Sequence, residues 1–133
     1  MNPQYRSVAL RAFHRCEYCR APEAVFNFPF EVEHIIPLSQ GGDDSLENLA
    51  LSCRGCNLFK GVHCQGIDPL SGECSRLFNP RSDTWDEHFC FDSNTMEIAG
   101  LSPIGRATIV QMQMNRAVQL TARFQWIPLG LFP

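Results

Sequence analysis

Four cysteines stand in two short pairs, Cys16-x-x-Cys19 and Cys53-x-x-Cys56. Each pair can close a tight chelate, and four thiolates satisfy zinc, a d10 ion that takes soft ligands tetrahedrally without geometric penalty. A single pair would read equally well as a redox dithiol or as two small buried side chains; two pairs in a short chain point to zinc. Cys64, Cys74 and Cys90 share no ligand spacing and are read as packed or incidental thiols, with a zinc-site redox protein as the weaker alternative they leave open. A second group of chemically capable residues lies between the pairs and directly after them: Glu33-His34, Gly41-Gly42, Asn48, Asn57 and Lys60.

Taken in order, these residues resemble the HNH endonucleases, in the branch whose ββα-metal core is pinned by four cysteines. The matching series is a cysteine pair, an acidic residue before histidine, a Gly-Gly loop, Asn48-Leu49, and a second cysteine pair followed at once by Asn57 and then Lys60. The segments Leu77-Phe78-Asn79-Pro80-Arg81, Trp85-x-x-His88-Phe89 and Gly105-Arg106-Ala107-Thr108 also look like the tail of small stand-alone members. The resemblance implies a metal-dependent DNA endonuclease that leaves a 5′-phosphate and a 3′-hydroxyl. It implies His34 as general base, Glu33 and Asn57 as ligands of a catalytic magnesium or manganese, Asn48 as the residue that ties the loop behind the histidine, and Lys60 as a phosphate contact. The chemistry agrees. An imidazole titrates near neutral pH and can take a proton from water, and carboxylate and amide oxygens are the hard donors these cations prefer. The zinc on Cys16, Cys19, Cys53 and Cys56 would be structural, replacing a core that so short a region could not build alone. This chain has Glu33 where the family more often has aspartate, and Asn57 in place of the third motif histidine. Adjacent residues of a regular strand also point to opposite faces, so Glu33 and His34 can share a site only if the strand twists or bulges there.

The elements that must position these residues follow from periodicity. Tyr5, Val8, Ala9, Ala12 and Phe13 share one face of a helix expected over Asn2 to Arg15. Phe26, Phe28, Phe30 and Val32 alternate with polar residues and Pro29, the period of a half-buried strand with an edge character. Residues 39–45 are loop chemistry, and a second strand is expected over Leu49 to Ser52. Ser52 can cap a helix running from Cys53 to about Gly61. Residues 62–82 read mostly as loop, with Arg76-Leu77-Phe78 strand-like. Phe89, Phe91, Met96 and Ile98 flank an Asp92-Ser93-Asn94 turn as a hairpin. Ser102-Pro103 opens a helix to about Gln113, and Asn115 can cap a last helix burying Ala117, Leu120, Phe124 and Ile127. The expected fold is α+β: a ββα-metal core with a four-cysteine zinc site, flanked by an amino-terminal helix and a carboxy-terminal hairpin and helices. It forms one domain over 1–133, with the core at about 16–61 and an extension over about 62–133.

Composition limits the partners. Eleven Lys+Arg against fourteen Asp+Glu leave a formal charge of -3, which excludes a polybasic tail and any strong global attraction to phosphate. DNA must then be held locally. Arg106, Arg116 and Arg123 are the only charged residues from 98 onward, so Arg116 and Arg123, together with Arg6, Arg11 and Arg15, are the expected DNA contacts. Residues 1–15 lack the apolar run of a signal peptide, and no stretch approaches the ~18 apolar residues of a membrane span, so an intracellular protein without a membrane partner is expected. His14, His63 and His88 read as solvated or structural, Met96, Met112 and Met114 as filler, and Trp85 and Trp126 as anchors rather than base-stacking platforms. A non-catalytic zinc module that binds nucleic acid or protein is the alternative function, although it would have no chemical need for Glu33, His34, Asn48 and Asn57 together.

Overall fold

The computed structural model describes the whole chain, residues 1–133. Helix α1 (Tyr5–Arg11) buries Val8 and Ala9 and is shorter than expected at both ends. It stops because the backbone turns left-handed at Phe13 and His14, both with φ 54, although the His14 amide still closes on the Ala9 carbonyl at 2.8 Å. Left-handed backbone at a residue with a side chain costs about 1–2 kcal/mol. Phe13, expected on the buried face, is instead 85% exposed.

The long strand expected from Phe26 reduces to β1 (Glu31–His34), which pairs antiparallel with β2 (Leu49–Ser52); Glu31 faces Ser52 and His34 faces Leu49. A 3-10 turn at Glu23–Val25 and the missing donor of Pro29 keep the preceding segment out of the ladder. Its phenylalanines instead cluster edge to face, Phe26 lying 6.0 Å from Phe28 and 4.9 Å from Phe30 between ring centroids. Glu23 braces this segment. Its buried carboxylate accepts from the Tyr5 hydroxyl (2.8 Å), His14 Nδ1 (2.7 Å) and the Phe30 amide (2.6 Å). Burial works against ionisation there, and these three donors outweigh it and lower the Glu23 carboxyl below its ordinary range.

Helix α2 (Arg54–Lys60) follows β2 directly, and its cap is Cys53 rather than the expected Ser52, whose hydroxyl donates to the Cys53 carbonyl. The segment read as loop contains a small hairpin, β3 (Gln65–Ile67) with β4 (Cys74–Arg76), placed just before the residues expected to be strand-like. A one-turn helix, α3 (Trp85–His88), leads into the hairpin of β5 (Phe89–Asp92) and β6 (Glu97–Gly100). Helix α4 (Pro103–Met112) begins as read, with the Ser102 hydroxyl accepting from the Gly105 amide at 3.0 Å.

Helix α5 (Ala117–Trp126) is capped at Arg116, whose amide donates to Gln119 Oε1. The Asn115 side chain, expected to cap it, ties instead to both backbone groups of Ile98. The buried face of α5 also differs: Phe124 and Ala117 are exposed, while Arg123 points inward. A single core runs through the molecule, joining Val8, Tyr18, Leu49 and Leu51 to Phe78, Phe89, Ile98, Met112 and Met114. The carboxy-terminal half is therefore packed on the β1–β2–α2 unit. Three long-range bonds fasten it there: Gln111 to the Phe59 carbonyl (2.9 Å), Trp85 Nε1 to the Tyr18 carbonyl (2.8 Å), and Arg81 to Glu17.

Candidate active site and metal centre

The turn after α1 and the start of α2 bring Cys16, Cys19, Cys53 and Cys56 together in the interior, with all four sulfurs within 4.8 Å of one another. Tetrahedral zinc with Zn–S near 2.3 Å requires sulfurs about 3.8 Å apart, and Cys19 Sγ lies 3.7 Å from Cys53 Sγ. The amides of Cys19 and Cys56 each donate to the first sulfur of their own pair at 3.5 Å. The donor set, its spacing and its closure from solvent all fit a structural zinc. Cys64, Cys74 and Cys90 stand outside the cluster.

At the other end of α2, β1 and the turn after it form the wall of an open cleft of about 360 Å³ that contains Glu33, His34 and Asn57. His34 Nε2 lies 2.7 Å from Asp44 Oδ1. A carboxylate only accepts, so Nε2 carries a proton in this contact, and in the neutral imidazole Nδ1 is then the accepting nitrogen. Asp44 went unrecognised in the sequence because nothing in Gly41-Gly42-Asp43-Asp44 separates a functional aspartate from a turn residue.

The loop between β1 and β2 is held by Asn48. Its Oδ1 accepts from the Ile36 amide (2.9 Å), and its Nδ2 donates to the carbonyls of Ile36 (2.9 Å) and Asp43 (2.8 Å). Gly42 is required beside it, since a Cβ there would lie 1.8 Å from the Ile36 oxygen. Gln4 of the segment before α1 adds a bond to the Asp44 carbonyl at 2.7 Å.

Glu33 and Lys60, expected as a metal ligand and a phosphate contact, are both buried and face each other. β1 keeps its regular pairing through His34, and Glu33, although it borders the cleft, is only 5% exposed, with its carboxylate drawn inward. One of its oxygens accepts from the Tyr18 hydroxyl, and the other lies 3.1 Å from Lys60 Nζ. Burial raises the Glu33 carboxyl above its ordinary range, against the lowering pull of Lys60 and the hydrogen bonds. Lys60 is 2% exposed and also donates to the carbonyls of His34 (3.2 Å) and Ile35 (2.9 Å). Its ammonium thus holds the backbone of the histidine from behind and has no surface left for phosphate. Both Glu33 oxygens are thus engaged, while Asn57 lines the cleft.

The arginines are dispersed. Arg6 is exposed, whereas Arg11 donates to the carbonyls of Leu46 (2.9 Å) and Leu49 (2.6 Å), and Arg15 to that of Arg20. Arg116 lies over the Phe59 ring at 4.8 Å. Arg123 is removed from the set of DNA contacts: it is 2% exposed, and it donates to the carbonyls of Met96 and Met114 and to Asn115 Oδ1. No carboxylate pairs with this guanidinium, and burial lowers it below its ordinary range.

No helix is long and apolar enough to cross a membrane. Residues 16–62 match the family described as HNH endonuclease, which points to a nuclease-type function in general. No curated protein and no solved structure matches the chain.

Proposed function

We propose, with the HNH match over residues 16–62 as premise, that this protein is a metal-dependent DNA endonuclease built on a ββα-metal core with one structural zinc. The observation that carries the reading is the His34 imidazole in the cleft wall, held at Nε2 by Asp44 and at its backbone by Lys60, with Asn57 beside it. In the proposed step, water attacks phosphorus, its proton passes to His34 Nδ1, and the bond from phosphorus to the 3′ oxygen breaks, the leaving oxygen taking a proton from solvent to become the 3′-hydroxyl. Asn48 and Gly42 fix the loop that carries Asp44, and so keep Nδ1 facing the cleft. A divalent cation, when bound, would polarise the phosphate and offset charge on the leaving oxygen. Asn57 is the residue that would offer it an oxygen, with Glu33 joining only on release from Lys60; magnesium and manganese suit such donors.

Plasmid cleavage with and without magnesium tests the proposal. Wild-type protein should nick or linearise DNA only with the cation. His34→Ala should lower the rate roughly 10²- to 10⁴-fold while leaving melting temperature and zinc content unchanged. Absence of cleavage by folded, zinc-loaded wild type across several divalent cations would favour the non-catalytic zinc module instead.

A further inference from the structure

Beyond the cleft, an open cavity of about 290 Å³ lies at the far end of α1, close to the size of small-ligand sites, roughly 300–1,000 Å³. Arg11, Arg15 and Arg20 line it with Phe13 and Trp85. Two carboxylates also border it, but each is neutralised from elsewhere in the chain. Glu17 pairs with Arg81, and Asp83 takes both arms of Arg76 at 2.7 and 2.8 Å. The three lining arginines have no such partner; the nearest approach is a loose 3.9 Å contact between Arg20 and the exposed Asp86. The cavity is thus cationic in a protein whose net charge is negative.

Its aromatic side is as distinctive. Trp85 is fixed by the bond from Nε1 to the Tyr18 carbonyl, and Arg20 stacks over its ring at 4.0 Å. Phe13 is free, 85% exposed, and set on left-handed backbone at the position after a helix where glycine is usual. An exposed phenyl on unfavourable backbone contributes nothing to the core. Arginines beside an open aromatic face are the recurrent platform for an unpaired nucleotide, phosphate to guanidinium and base to ring.

We propose that this cavity binds one unpaired nucleotide of a DNA strand, with its base stacked on Phe13 and its phosphate held by Arg15 and Arg20. The proposal rests on the nuclease reading for its geometry. Arg11 joins the two regions: it lines the cavity and donates to the carbonyls of Leu46 and Leu49, on the segment that follows Asp44. A strand cut at His34 would therefore be gripped nearby at a point where it is not paired, which makes junctions, flaps or gapped DNA the favoured substrate class over intact duplex.

Fluorescence anisotropy on the His34→Ala protein, with a labelled single strand and a blunt duplex of the same sequence, separates binding from cleavage. Phe13→Gly should weaken single-strand binding roughly 5- to 100-fold with little effect on the duplex, while its melting temperature stays level or rises because glycine relieves the left-handed backbone. Phe13→Trp should restore binding. Single-strand affinity unchanged in Phe13→Gly, or an equal loss on both probes, would overturn the proposal. Failure of the nuclease reading shows elsewhere, as absent plasmid cleavage by the protein with His34 intact.

Discussion

Helix α2 serves two sites of opposite character. At its start, Cys53 and Cys56 complete a cluster that is closed, buried and made of one kind of donor. From its middle onward, Asn57 and His34 line a cleft that is open and chemically mixed, while Lys60, one turn from Cys56 on the buried side, is drawn into the interior with Glu33. The cluster converges because each Cys-x-x-Cys fixes its own geometry locally, whatever the rest of the chain does. The cleft depends on which way each strand residue points, and on β1 the Glu33 carboxylate is drawn inward to Lys60 while His34 bonds Asp44 at the cleft. Proximity in a motif is thus a good guide to shared chemistry when the residues chelate, and a poor one when they alternate.

The contrast predicts a graded response to perturbation. Removing the metal from the cluster, by a strong chelator or by Cys19→Ser or Cys56→Ser, should unfold or aggregate the protein, since binding energies of structural zinc are on the order of 10 kcal/mol. Elemental analysis beside circular dichroism decides this, and a folded protein without zinc would refute it. Glu33→Gln should come next. If Glu33 is the partner of buried Lys60, a urea melt should show a loss of about 3–5 kcal/mol. Stability within about 1 kcal/mol of wild type, with magnesium-dependent cleavage abolished, would return Glu33 to the role of metal ligand. Asn48→Ala should cost less, about 1–3 kcal/mol for the groups it leaves unpaired, and should reduce cleavage as well. An Asn48→Ala protein with normal turnover would show that the loop behind His34 needs no clamp.

Much of this arrangement was legible in the residues. The cysteine pairs, the strand at Leu49–Ser52, the glycine at Gly42 and the Ser102-Pro103 helix start all rest on local chemistry, and each stands where it was read. The reading of the last helix went astray because its apolar periodicity suggested a buried Phe124, whereas the core accepted Arg123, whose guanidinium finds three acceptors there. The Phe26–Phe30 alternation imitated a strand while serving an aromatic cluster. Lys60 looked like a surface cation because nothing nearby in sequence announces that its partners are Glu33 and two carbonyls of the preceding strand. For Lys60 the deciding partners were distant along the chain.

Arg123 also bears on the order of assembly. A growing chain holds all four cysteines once Cys56 has emerged, but Met112 and Met114, which join them in the core, come much later, and Arg123, whose buried guanidinium fastens the Met96 and Met114 carbonyls, comes only with the last helix. Early fragments can therefore capture zinc without retaining it well, and tight retention becomes a property of the finished chain. A protein ending before Ala117 should give up its zinc to a colourimetric chelator faster than the full chain does, and equal rates would mean that the cluster matures on its own.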